Sequence, residues 1–199
     1  AYELRHVTGV QTCALPIYRL AQSGGVAEAV RVAELIGARV YAASYSEMNF
    51  PTDHPHFMGR IGAGMPGGQA ILSKSDVVLA VGTNVFSGFF YFEGRALSEG
   101  TKLIHLDSAQ REIGKSEPTD IGIAADPKVA LAELAEALES SMSGSAQEAA
   151  KGRDFRMADE WAAQRQARDQ RLQDRFDMSP MSARSEEHTS ELQSRAYLV

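Results

Sequence analysis

The sequence predicts a doubly wound α/β fold, a parallel sheet covered by helices in three Rossmann-like layers. Asp76–Val81 (DVVLAV), Lys102–Leu106 (KLIHL) and Ile121–Ala125 (IGIAA) are short, near-continuously apolar runs, each closed by Gly or Asp. Strands of that kind are buried on both faces, whereas alternating runs leave one face wet. Segments of helical periodicity lie among these runs, and right-handed crossovers then bring each strand back parallel to the last.

In chain order, Val26–Ile36 (VAEAVRVAELI) sets Val26, Ala29, Val30, Ala33 and Ile36 at helical spacing, with Gly37 as its stop. Arg39–Ala43 is apolar and partly β-branched, which fits a buried strand. Asn49–Gly68 is loaded with Pro and Gly and predicts turns. Gln69–Lys74 is a short helix candidate that leads into the three strands. Pro127–Leu138 predicts a helix with Pro in its first turn and Val129, Leu131, Leu134 and Leu138 as its apolar positions. Ser140–Ser145 reads as a linker, and the charged stretch Asp154–Phe176, which contains Trp161, as a surface helix.

The alternation requires a first strand before Gly24, and that strand is expected to be missing or overwritten by a foreign segment. Val7–Ile17 (VTGVQTCALPI) and Ser185–Ser194 (SEEHTSELQS) can be written as translations of one DNA string read on opposite strands. The string resembles a short-read sequencing adapter. Residues 1–17 and 184–199 are therefore set aside as scars. Residues 18–140 remain for the α/β domain. Residues 141–183 form a linker and the opening of a following domain, all within a longer parent protein.

At about 150 residues per domain, 199 residues allow one domain and an appendage. The composition, 44% hydrophobic and 23% charged, is that of a globular chain. A net charge of -6 argues against a nucleic-acid surface, which wants clustered Lys and Arg. The one cysteine, Cys13, lies in the adapter-like segment, which removes disulfides, thiol nucleophiles and thiolate metal sites from the remainder. No apolar run approaches the ~20 residues of a membrane span, and a cytoplasmic setting is expected.

In an open parallel sheet, ligands bind beyond the carboxyl ends of the strands. Four loops qualify: Gly24-Gly25, whose amides precede a helix; Gly82-Thr83-Asn84; Asp107-Ser108, where a carboxylate could bond a ribose; and Asp126. The same residues are also ordinary strand-to-helix punctuation, and neither G-x-G-x-x-G nor G-x-x-x-x-G-K-[ST] occurs. His54 and His56 flank Pro55, but two imidazoles without a third ligand favour a turn over a metal. His105, inside an apolar strand, reads as a hydrogen-bonded core residue. Glu47, Asp53 and Glu93 offer carboxylates near loops, with no pairing legible from spacing. Phe86, Phe89, Phe90, Tyr91 and Phe92 could stack on a ligand ring or pack against a neighbouring domain or subunit. Arg165–Arg175 balances its cations with Asp169 and Asp174 as a solvated face.

Four stretches together resemble the central domain of thiamine-diphosphate-dependent enzymes, the group of acetolactate synthase and benzoylformate decarboxylase. They are GGVAEAVRVAELIGARVYAAS from Gly24, FPTDHPHFMGRIG from Phe50, SDVVLAVGTNVF from Ser75, and KLIHLDSAQREIGKSEPTDIGIAADPKVALAEL from Lys102. The last holds an EIGK-x-x-P-x-DIGI-x-AD pattern that is widespread in the family. Ser179–Ser182 resembles the entrance to its third domain. The resemblance implies a parent decarboxylase, lyase or acyl transferase that acts on a 2-keto acid with thiamine diphosphate and magnesium and forms dimers or tetramers. It places the cofactor-activating Glu and the Gly-Asp-Gly magnesium motif in flanking domains, so the fragment alone is expected to be inactive, with no catalytic residue and no metal ligand of its own. Some members bind FAD or another adenine nucleotide such as ADP on this domain, which would put Gly82, Thr83, Asp107 and Asp126 at cofactor loops. A free-standing nucleotide-binding module and a structural interaction domain are the competing expectations.

Overall fold

The computed structural model describes residues 13–17, 20–43, 48–61, 66–83 and 95–176. The chain runs β1 (Cys13–Ile17), α1 (Leu20–Ser23), α2 (Val26–Ile36), β2 (Arg39–Ala42), β3 (Phe57–Arg60), α3 (Pro66–Leu72), β4 (Val77–Val81), β5 (Lys102–Asp107), a 3-10 turn (Gln110–Glu112), β6 (Ile121–Ala124), α4 (Pro127–Ser141) and α5 (Gly144–Phe176). The strands form one sheet in the order β3-β2-β1-β4-β5-β6, with every neighbouring pair parallel. This is the Rossmann order, in which the winding reverses between β1 and β4.

The expected absence of the first strand is overturned. Ala14–Ile17 pair with Arg39–Ala42 on one side, and Cys13 and Ile17 pair with Val77 and Val81 on the other. A gap there would leave two rows of backbone donors and acceptors without partners in the middle of the sheet. Backbone pairing is indifferent to the DNA that encodes a segment, so a short extended run fills the slot. Pro16, which has no N–H, removes one donor from the ladder.

Three boundaries also moved. The turn-rich stretch contains β3, an edge strand with a register shift against β2 between Val40 and Ala42 and Gly59 at φ +97°. An edge strand tolerates such irregularity because only one side must pair. α3 begins at Pro66 rather than Gln69, with Pro in its first turn. α5 begins at Gly144, so Met142–Ser143 alone separate it from α4. Ser143 accounts for the early start: its Oγ accepts from Ala146 N at 3.3 Å and its carbonyl from Gln147 N at 3.0 Å. Serine favours both loops and helix N-caps, and here it is a cap.

Alternation along β4 creates two cores. Val78 and Ala80 join Tyr41, Leu72, Leu97 and Leu103 on one face; Leu79 and Val81 join Val32, Val40, Leu106 and Leu131 on the other. α2 and α4 cover the second core and are tied by a two-point contact from Arg31 to Glu139, at 3.0 and 2.7 Å. The chain divides into two compact units: Ala1–Met157 holds the sheet, and Ala158–Val199 begins inside the span of α5. In the second unit the described side chains are mostly exposed, and Arg165 stacks over Trp161 at 5.1 Å. No helix among the described residues is long and apolar enough to cross a membrane.

Candidate functional site

The carboxyl edge of the sheet gathers the predicted loops into one row. β4 ends at Val81, and Gly82 turns the chain at φ +56° while its N–H bonds to Leu106 O at 2.7 Å. A left-handed residue there is most easily glycine. Thr83 follows, fully buried, and its carbonyl lies 3.1 Å from His105 Nε2. Asp107 closes β5; it is fully buried, and its Oδ1 accepts from Ala109 N at 2.7 Å, which forms an Asx turn. Its carbonyl receives Ala125 N at 3.2 Å, next to Asp126. Asp126 caps α4 by accepting from Lys128 N at 2.9 Å and Val129 N at 3.1 Å. Gly25 belongs to the same region, because a Cβ there would stand 3.0 Å from Lys128 Cα.

Gly82, Thr83, Asp107 and Asp126 thus come together at the ends of neighbouring strands. Two of the side chains already serve the protein itself, Asp107 through its turn and Asp126 through its cap. His105, read from sequence as a core residue, has that environment: it is 3% exposed and crosslinks β5 to the Thr83 turn. Burial pushes its imidazole below the ordinary histidine range, against the opposing pull of Asp107, the Thr83 bond and Glu112.

The histidine pair around Pro55 engages carboxylates. His54 Nε2 lies 3.3 Å from Glu34 Oε1, and His56 Nε2 lies 2.6 Å from Asp154 Oδ1. Among the described residues no group of three or more His, Cys, Asp and Glu side chains converges on a metal position. Asp53 is exposed. Glu47, Glu93, Asn84 and the aromatic run Phe86–Phe92 lie outside the described residues, as does Ser179–Ser182.

Pattern reading missed the part played by the charged loop before β6. Glu117 is 5% exposed; its carboxylate pairs with Arg95 Nε at 3.0 Å and accepts from Ala96 N at 3.3 Å. Asp120 accepts from Lys102 Nζ at 2.8 Å and from Leu103 N at 2.9 Å, contacts that hold its carboxyl below the usual range. Ile113 fits against Gly122, where a Cβ would come within 2.7 Å of Ile113 Cγ2. The EIGK-x-x-P-x-DIGI-x-AD pattern therefore forms a strap from β5 to α4, with Asp126 as its last tie. No spacing rule marks Glu117 as buried.

Residues 18–134 match the family described as thiamine pyrophosphate enzyme, central domain. The chain belongs to this family. Among similar proteins is acetolactate synthase of Mycobacterium avium, 33% identical over 117 residues, which cover 58% of this chain and 19% of the relative. Sulfoacetaldehyde acetyltransferase of Roseovarius nubinhibens is 32% identical over 109 residues, covering 53% and 18%. The solved thiamine diphosphate-dependent 4-hydroxybenzoylformate decarboxylase of Rhodococcus jostii superposes with a TM-score of 0.61 at 27% identity, covering 71% of this chain and 27% of that one. The matched region is thus about a fifth of the length of the curated relatives. The central strand β1 lies just outside the family match, which begins at residue 18.

Proposed function

We propose that this chain is the central domain of a longer thiamine-diphosphate-dependent 2-keto-acid decarboxylase or synthase, in which its role is architectural. The family match carried on a Rossmann-order sheet, together with the short share of each relative that it spans, supports this reading. Thiamine diphosphate, where the parent holds it with magnesium, supplies the electron sink for loss of carbon dioxide. The described residues bring together no cluster of ligands fit for that magnesium, and no step of the reaction is assigned to them. The parent is proposed to be cytoplasmic and homo-oligomeric. Purified chain supplied with thiamine diphosphate, magnesium and either pyruvate or benzoylformate should release no carbon dioxide. Turnover would overthrow the architectural role.

At the carboxyl edge the proposal adds an adenine nucleotide, FAD or ADP, lying across the Gly82-Thr83 turn and the loops opened by Asp107 and Asp126. Its support is position: the Gly82-Thr83 turn follows β4, which borders the point where the winding reverses, and the Asp107 and Asp126 loops follow the next two strands. Asp107 and Asp126 act there by shaping loops, since each already uses an oxygen on the backbone. Calorimetric titration should give saturable heat with FAD or ADP and none with NAD. Silence with both would remove the nucleotide and leave the family assignment standing.

A further inference from the structure

We infer that residues 144–157 of α5 form a releasable strap on the α/β domain, held shut by His56. This stands independently of the function proposed above. The strap lies over the carboxyl end of α2. Both Arg153 Nε and Nη2 donate to Ile36 O, at 3.2 and 2.8 Å, so a cation satisfies a carbonyl that the helix end leaves open. Gly37, at φ +58°, lets the strap approach: a Cβ there would sit 2.7 Å from Ala150 O. From the other side, His56 Nε2 meets Asp154 Oδ1 at 2.6 Å.

The balance of these contacts makes the strap separable from the core. Only Ala150 and Met157 are buried in this stretch, while Lys151, Asp154, Phe155 and Arg156 are exposed. By contrast, α4 buries Pro127, Leu131, Ala135 and Leu138. His56 is fully buried, yet its Nδ1 has no hydrogen-bond partner among the described residues. A dry, unpaired ring nitrogen opposes the closed state, and release would hydrate it. The Asp154 contact is what offsets that cost, and Asp154 itself reaches solvent, with a side chain 53% exposed. The two-residue connection Met142–Ser143 supplies the pivot. A helix docked by few apolar contacts and a polar latch opens ahead of global unfolding.

Native-state amide exchange on the whole chain tests this. Amides 148–157 should exchange at least tenfold faster than those of Leu131–Leu138. Asp154→Ala should speed exchange in the strap a further several-fold while α2 and α4 stay unchanged, even though alanine is the better helix former. His56→Gln, which keeps a donor near the Nε2 position for Asp154, should leave exchange in the strap slow. Should His56→Gln fail to fold, Asp154→Ala alone decides, because that side chain is half exposed. Equal protection of the strap and α4, an unchanged rate in Asp154→Ala, or acceleration of every helix alike would each overturn the inference.

Discussion

His105 shows how one side chain answers to its neighbours on a sheet edge. It is buried between β4 and β6, bonded to Thr83 O, and held below the ordinary imidazole range chiefly by loss of water. A histidine whose folded pKa is depressed leaves the unfolded state binding the extra proton, so stability rises with pH through the window between the folded value and 6.5. Below that window the penalty is fully present; above 6.5 it is gone. Urea unfolding at about pH 7.5 and about pH 5 should show His105→Gln losing less stability on acidification than the parent chain. An equal loss in both would mean that His105 does not contribute. The position of His105 was legible, because an apolar strand surrounds it. The partners of Asp107 and Asp126 were not, since ligand binding, Asx turns and helix caps all select the same residue type.

At the scale of elements, the strands easiest to read were β4 and β5, whose apolar runs follow from a sheet covered on both faces, whereas the apolar run of β6 forms an edge strand with Gly122, Ile123 and Ala124 exposed. β3 was hidden because an edge strand needs neither a continuous apolar run nor freedom from Gly and Pro. The start of α4 at Pro127 was legible, although the helix continues to Ser141 and Val129 is exposed, and its cap gives a direct measurement. Asp126→Ala should lower stability by about 1 kcal/mol in chemical denaturation, whereas Asp126→Ser should stay within a few tenths, because a hydroxyl can also accept from the N-terminal amides. If serine costs as much as alanine, the carboxylate does something other than cap. The strap between β5 and α4 illustrates a different limit. Its glycines and acids look like loop composition, and only folding reveals Glu117 buried against Ala96 N.

For the whole molecule, the alternation of helix and strand conveyed the layered architecture, but it could not say what occupies the centre of the sheet. β1 bridges β2 and β4, and every path of strand pairing from one half of the sheet to the other passes through it. Removing residues 1–17 should therefore abolish the single sharp urea transition rather than shift its midpoint, since two sheet halves would be left with unpaired inner edges. A truncated chain with an unchanged, cooperative transition would show that β1 is dispensable. The same arrangement governs the timetable of folding. Cys13 must find Val77, 64 positions along the chain (77 − 13 = 64), whereas Ala14 needs only Arg39, 25 along (39 − 14 = 25). Closing the longer loop costs more entropy before any contact rewards it. During synthesis the amino-terminal half can therefore zip up early, and it must then wait with one raw edge until β4 has left the ribosome.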